Sequence, residues 1–374
     1  MKALFVATVR SHIGQFHMPL IKALKDSGWT VDAAFHDNSY DKPGLDLSII
    51  DNTYEVPFKR NPYDFSNVKA YKTLKTIINN NTYDVIHCNT PVGSVVGRLA
   101  ARKARKKGTS VFYTAHGFHF FSGAPFKNWL FFYPIEKMLS HYTDLLITIN
   151  QYDYDLARKK HFSVKKIVKI DGVGVDFSKF HIASDDEKLS LRQEFGYDPD
   201  AFILLYAADL SHRKNQQMIF HALALVKEKI GKTILLLPGQ PILENEYKTM
   251  CRELEISNMV RFLGYRRDIN KLLAMCDCVV SSARQEGLPI NLIEAAAMGK
   301  YIIATDVRGN SDVVKQSEYG RLVPLNDYEE MANAILEMYH NAPVRSSEKA
   351  AANVEIYKQS RIVEENMRFY QEVG

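Results

Sequence analysis

The chain has 374 residues, 46% hydrophobic and 24% charged, which is ordinary globular composition and predicts two domains with separate cores. That composition excludes disordered, collagen-like and low-complexity classes. The net charge of +5 is uneven: residues 1–175 carry 24 Lys+Arg against 14 Asp+Glu, and residues 176–374 carry 24 against 29.

The first half alternates apolar β-rich runs with longer periodic segments. Strands are predicted at Ala3–Thr8, Thr30–Phe35, Asp84–Cys88, Val111–Ala115, Asp144–Ile149 and Lys166–Ile170. Helices are predicted at Gln15–Ser27, Phe65–Asn80, Pro91–Lys107, Trp129–Tyr142 and Tyr152–Lys160. Unbroken runs such as Leu4-Phe5-Val6-Ala7 mark strands covered on both faces, hence a parallel sheet between helices. A glycine-bearing link, Gly172-Val173-Gly174-Val175-Asp176, follows, and the pattern restarts. Second-half strands are predicted at Phe202–Ala207, Thr233–Leu237, Met259–Leu263, Cys278–Ser281, Tyr301–Thr305 and Arg321–Val323. Helices lie between them at Asn215–Ile230, Glu244–Leu254, Asp268–Met275 and Pro289–Met298, and the chain ends in amphipathic helix at Asp327–Asn341 and Ser347–Tyr370. Two α/β arrays of this kind predict two Rossmann-like, doubly wound domains facing a cleft. The boundaries are placed at 1–175, 176–355 and a last helix, 356–374, packing back on the first domain.

Cys88, Cys251, Cys276 and Cys278 form no disulfide framework or zinc spacing and read as small core residues in a reducing cytosol. The apolar start, residues 3–9, is cut by Arg10 and His12 and reads as a strand, not a signal peptide. Trp129–Ile149 is broken by Pro134, Glu136, Lys137, His141 and Asp144, so it is no membrane span.

Chemistry concentrates where strands end. After Cys278–Ser281 comes Ser282-Ala283-Arg284-Gln285-Glu286-Gly287-Leu288-Pro289, then an apolar helix carrying Glu294. Free N–H groups at that helix start suit an anion, and the two carboxylates suit sugar hydroxyls. After Phe202–Ala207 comes Asp209-Leu210-Ser211-His212-Arg213-Lys214-Asn215, which places cations where a diphosphate would leave. His116-Gly117 follows the strand Val111–Ala115, and Gly14 lies in the first strand–helix turn, where a glycine lets the backbone approach a ligand. Asp153-x-Asp155 opens a helix and reads as capping. No metal spacing stands out among the twelve histidines and the aspartates.

The Glu286-x7-Glu294 spacing with Glu286-Gly287-Leu288-Pro289 resembles glycosyltransferase family 4, retaining enzymes with the GT-B fold. The resemblance spans the chain and is nearest to bacterial exopolysaccharide and capsule enzymes, through Thr114-Ala115-His116-Gly117-Phe118-His119-Phe120 and Tyr133-Pro134-Ile135-Glu136-Lys137. It implies that Glu286 contacts the donor sugar and Glu294 the ribose. It further implies that the N–H groups around Gly287, Leu288, Pro289 and Ile290 surround the diphosphate. The same resemblance assigns neutralisation of the leaving group to Lys214, assisted by Arg213, and implies that His116 touches the sugar. Gly264-Tyr265-Arg266 is where the family seats the base, and Gly309 matches its glycine pair. The chain has Asp209 where many members carry arginine.

The function expected is transfer of a hexose or N-acetylhexosamine from a UDP-sugar to a saccharide on polyprenyl diphosphate, without metal or other cofactor. The alternatives are a non-hydrolysing UDP-sugar epimerase and a non-catalytic assembly subunit. Five cations at 102–107, near Phe118, Phe120, Phe121, Phe126, Trp129, Phe131, Phe132 and Tyr133, point to an anionic membrane surface. The protein is therefore expected in the cytoplasm, peripheral at the inner face of the membrane. Nucleic acid is excluded as a partner, because no nucleic-acid-binding motif accompanies the basic segment.

Overall fold

A computed structural model describes residues 1–40, 43–341 and 347–373. The chain divides into two units, residues 1–174 with 359–374, and residues 175–358. Sequence reading put the cuts after 175 and 355.

The first unit holds seven parallel strands: β1 (Lys2–Val9), β2 (Thr30–His36), β3 (Asn52–Glu55), β4 (Val85–Asn89), β5 (Ser110–Ala115), β6 (Leu145–Thr148) and β7 (Lys166–Lys169). Their order is β3-β2-β1-β4-β5-β6-β7. The second unit holds six: β8 (Phe202–Leu205), β9 (Thr233–Pro238), β10 (Val260–Gly264), β11 (Cys278–Ser281), β12 (Tyr301–Thr305) and β13 (Gly320–Val323). Their order is β10-β9-β8-β11-β12-β13. Every pairing is parallel; Ala3 faces Val85 across β1 and β4, and Cys278 faces Leu204 across β11 and β8. Strand order reverses between β1 and β4 in one sheet and between β8 and β11 in the other. Such reversals are where open parallel sheets bind ligands, because neighbouring loops diverge there.

Core packing explains the unbroken apolar runs. Leu204, Tyr206, Leu235 and Leu237 enter one cluster of the second unit, while Ile203, Leu205 and Leu236 enter another. Alternate residues of one strand thus feed opposite faces, and both faces are buried. All four cysteines are buried and unpaired.

Three segments differ from the sequence expectation. The helix expected at Gln15–Ser27 is two helices, Arg10–Phe16 and Met18–Asp26, with the break at His17. Pro19 lacks an N–H and suits a first helical turn, so the helix restarts at Met18. Helix Asp185–Glu194, with Ser184 as its cap, was unforeseen because its sequence is polar nearly throughout. The final helix breaks between Asn353 and Gln359, where Val175 bridges Lys358 before the chain returns to the first unit.

The Tyr133–Lys137 motif serves as an anchor. Glu136 accepts from the Arg98 guanidinium at 2.8 Å and from the Tyr113 hydroxyl at 3.2 Å. Arg98 is 1% exposed and lies over the Tyr113 ring at 4.0 Å. The Lys137 ammonium donates to the carbonyls of Lys160 and His161, closing the helix Gln151–Lys159. Removing one partner of a buried ion pair strands the other charge. Glu136→Ala is therefore expected to lower the unfolding free energy by about 3–5 kcal/mol, read from urea midpoints; an unmoved midpoint would contradict it.

Candidate active site

In the second unit, the loops after β8 and β11 meet at the strand-order reversal. The chain at Asn215 adopts a left-handed turn (φ 56°). Its buried amide donates to the Ser282 carbonyl at 3.1 Å and accepts from Arg284 at 2.8 Å. The Ser282 hydroxyl donates to the Asn215 carbonyl at 2.8 Å, and the Tyr206 hydroxyl donates to that of Lys214 at 2.9 Å. This lattice fixes the backbone of Arg213 and Lys214 against that of Glu286.

The side chains then converge. The Lys214 Nζ lies 2.6 Å from Glu286 Oε1, and Arg213 Nη1 lies 3.1 Å from Oε2. Glu286 is 9% exposed, and the Arg213 side chain is 54% exposed. Burial pushes the Glu286 carboxyl up, but the Lys214 and Arg213 charges outweigh it and hold the group below its ordinary value. It is thus a carboxylate at neutral pH, held between the mostly buried Lys214 and the exposed Arg213.

Gly309 backs this loop. A Cβ there would come within 2.8 Å of the Gly287 carbonyl oxygen, and its φ of +85° favours glycine. Arg308 donates to the Glu286 carbonyl at 3.2 Å. Leu288 packs on the core, so its backbone, not its side chain, is what it can offer a ligand. Pro289 is buried in extended conformation as the cap of the helix Ile290–Ala297, one residue earlier than the first-turn position expected. Asp209 accepts from the Gln240 N–H at 3.2 Å, so it orders the loop after β9.

Glu294 sits in the same helix, half-buried. Burial pushes its carboxyl up to about 8, with the Lys179 ammonium opposing. No side-chain hydrogen bond holds it among the described residues.

In the first unit, His116 directly follows β5 and is joined by His12 from the helix after β1 and Asn89 from the end of β4. Its Nε2 lies 3.2 Å from His12 Nε2 and 3.3 Å from Asn89 Oδ1. Burial lowers the His116 imidazole to about 4, so it is neutral at physiological pH. The following loop is pinned by Asp153, which accepts from the Phe118 N–H at 3.1 Å. Asp153 also pairs with Asn150, the actual cap of its helix, so the capping assignment holds with the roles divided. His119 stacks on Phe132 with ring centroids 4.8 Å apart. Gly14 requires correction. It lies inside the helix Arg10–Phe16 and not in a turn, and a Cβ there would come within 3.1 Å of the Leu45 and Leu47 side chains. Packing against those two leucines favours a small residue there.

Sequence reading missed His17, His87 and Asn215. His87 is buried, with Nδ1 2.7 Å from the Tyr370 hydroxyl and Nε2 2.7 Å from Thr114 Oγ1. No local pattern marks a buried histidine. Asn215 carried a signal, since asparagine tolerates the left-handed turn that must join strand to helix.

Two parallel α/β units, with a carboxylate and paired cations at one strand-order reversal, define the class: a GT-B glycosyltransferase. The chain belongs to the group 1 and family 4-like glycosyltransferases. Residues 187–355 match the family Glycosyl transferases group 1, and residues 2–150 match Glycosyl transferase 4-like. EpsD of Bacillus subtilis, a protein named as a glycosyltransferase, is 40% identical over 99% of this chain and 96% of its own length. An N,N'-diacetylbacillosaminyl-diphospho-undecaprenol alpha-1,3-N-acetylgalactosaminyltransferase of Campylobacter jejuni is 25% identical, covering 99% of this chain and 98% of its own. The crystal structure of Anabaena HepE with UDP and glucose shares the fold, with a TM-score of 0.81, 20% identity and full coverage of both chains. The epimerase and assembly-subunit alternatives are set aside accordingly.

Glu294 yields a pH test. Its unfolded form ionises near 4.5, so between there and about 8 the folded protein keeps a proton that the unfolded chain has lost. Stability is full below that window and falls as pH rises through it. Glu294→Gln is expected to abolish this fall, measured as urea midpoints from pH 5 to 8; parallel curves for both proteins would refute it.

Proposed function

We propose that the protein is a retaining transferase that moves a hexosyl or N-acetylhexosaminyl group from a UDP-sugar to a saccharide on polyprenyl diphosphate, building an exopolysaccharide or capsule. The observation that carries this reading is the Glu286 carboxylate held between Lys214 and Arg213 beside a helix start. As the anomeric C–O bond breaks, negative charge grows on the leaving diphosphate. Lys214, Arg213 and the N–H groups of Gly287, Leu288 and Ile290 stabilise that charge more than the ground state. The acceptor hydroxyl attacks from the face that UDP leaves, and its proton passes to a departing phosphate oxygen. Glu286 hydrogen-bonds the sugar, Glu294 the ribose, and the neutral His116 imidazole a sugar hydroxyl. The reaction as written calls for no divalent metal.

A lipid-linked acceptor is supported by the activity for which the Campylobacter relative is named. Support for a membrane surface comes from the helix Phe126–Leu139. It exposes Phe126, Leu130, Phe131 and Met138, and Phe131 meets the exposed Tyr63 with ring centroids 6.0 Å apart. Phe118 and Phe120, by contrast, are buried against each other, and Arg105 is engaged by Asp144. The surface that remains for lipid is thus the outer face of this helix with Arg102, Lys103, Lys106 and Lys107. Among the described residues no helix is long and apolar enough to cross a membrane. Binding to vesicles is expected to rise with anionic lipid content and fall with salt; binding indifferent to both would remove the surface.

The donor site is tested with a short-chain polyprenyl-diphosphate sugar and UDP-sugars, in EDTA. Wild-type transfer is expected to survive the chelator. Glu286→Ala and Lys214→Ala are each expected to lower kcat by roughly a hundredfold or more while circular dichroism stays native. Near-normal rates in both variants would overturn the assignment.

A further inference from the structure

We propose that His12, His17 and His116 form a binding site for a transition-metal dication of the zinc type, with a fourth position left to water or an incoming ligand. The three imidazoles come from separate places: the helix after β1, the break that follows it, and the end of β5. One ring nitrogen from each lies within 4.8 Å of the other two. The His12–His116 separation of 3.2 Å is close to the spacing of about 3.3 Å between two nitrogens on a tetrahedral zinc ion with bonds of about 2.0–2.1 Å. Side-chain adjustment of ångström scale brings in the third.

An independent observation points the same way. His17 is 4% exposed, and its Nε2 is fully buried without a hydrogen-bond partner. A buried polar nitrogen left unpaired is costly, and a metal bond would satisfy it. The His12–His116 contact is itself awkward. One of the two nitrogens must carry the proton, while the Asn89 oxygen 3.3 Å away also calls on His116 Nε2. A metal ion takes a lone pair from both rings and so stands in for the shared proton.

The donor set selects the ion. Three imidazoles without a carboxylate suit zinc, cobalt, nickel or copper, and not magnesium or calcium. Burial lowers His17 and His116, so both offer neutral lone pairs at physiological pH. His87 stays outside the site because Tyr370 and Thr114 engage both its nitrogens. His12 and His116 are only half-buried, which leaves the ion an approach and an open position. A bound ion would also occupy the imidazole assigned to the donor sugar, so zinc would inhibit transfer; that consequence rests on the proposed function, while the site itself does not.

The test is titration of the full chain with Co2+, followed by its d–d absorption, and then with Zn2+ in competition. One ion per chain is expected, and His12→Ala and His17→Gln are each expected to weaken binding roughly tenfold or more. Absence of saturable binding, or equal affinity in wild type and variants, would overturn the site. Should His17→Gln fail to fold, His12→Ala decides alone. Zinc that binds through these residues yet leaves transfer untouched would uphold the site and instead remove His116 from the donor.

Discussion

Parallel strands impose one constraint on everything else in this protein: each delivers its following loop to the same edge of its sheet. Where strand order reverses, the loops leave in opposite directions and open a space between them. At that place in the first unit stand His12 after β1 and Asn89 at the end of β4, with His116 one strand further on. In the second unit stand Lys214 after β8 and Glu286 after β11. The topology itself delivers these candidate side chains.

The electrostatics of the second unit follow from that placement. Lys214 and Arg213 are both paired to one nearly buried carboxylate, which leaves the trio a net positive charge for an anion. The two cations are thereby ordered before any anion arrives, so less side-chain freedom is lost on binding. Asn215, with its left-handed turn and three contacts across the loop, sets the geometry on which this depends.

How much of this was legible in the sequence depended on distance along the chain. Strands such as Cys278–Ser281 and Tyr301–Thr305 were read to the residue, because burial on both faces leaves an unbroken apolar run. β3 was missed because it is a four-residue edge strand with no buried position. Glu286 and Lys214 stood in local contexts that carry their own chemistry, a turn after a strand and a helix start. His17 and His87 had none, since their meaning arises only when remote segments fold together. Gly14 misled for the opposite reason: a glycine in a first strand–helix turn resembles a phosphate loop, and only tertiary packing shows two leucines in the space. Likewise, the Tyr133–Lys137 motif marked the family correctly while serving the core through Glu136 and Lys137.

The return of the chain to the first unit bears on how the protein is made. The helix Gln359–Gln371 supplies Tyr370, which is 1% exposed, lies parallel to Phe5 with ring centroids 6.4 Å apart and meets His87 through its hydroxyl. The second unit is one uninterrupted stretch of chain, but the first is finished only by a segment that follows the whole of the second, from residue 359 on. During synthesis the first unit therefore keeps an uncovered pocket until the second has emerged. Such sequence-distant closure slows folding, so the newborn chain has a period in which the apolar seat of Tyr370 is exposed.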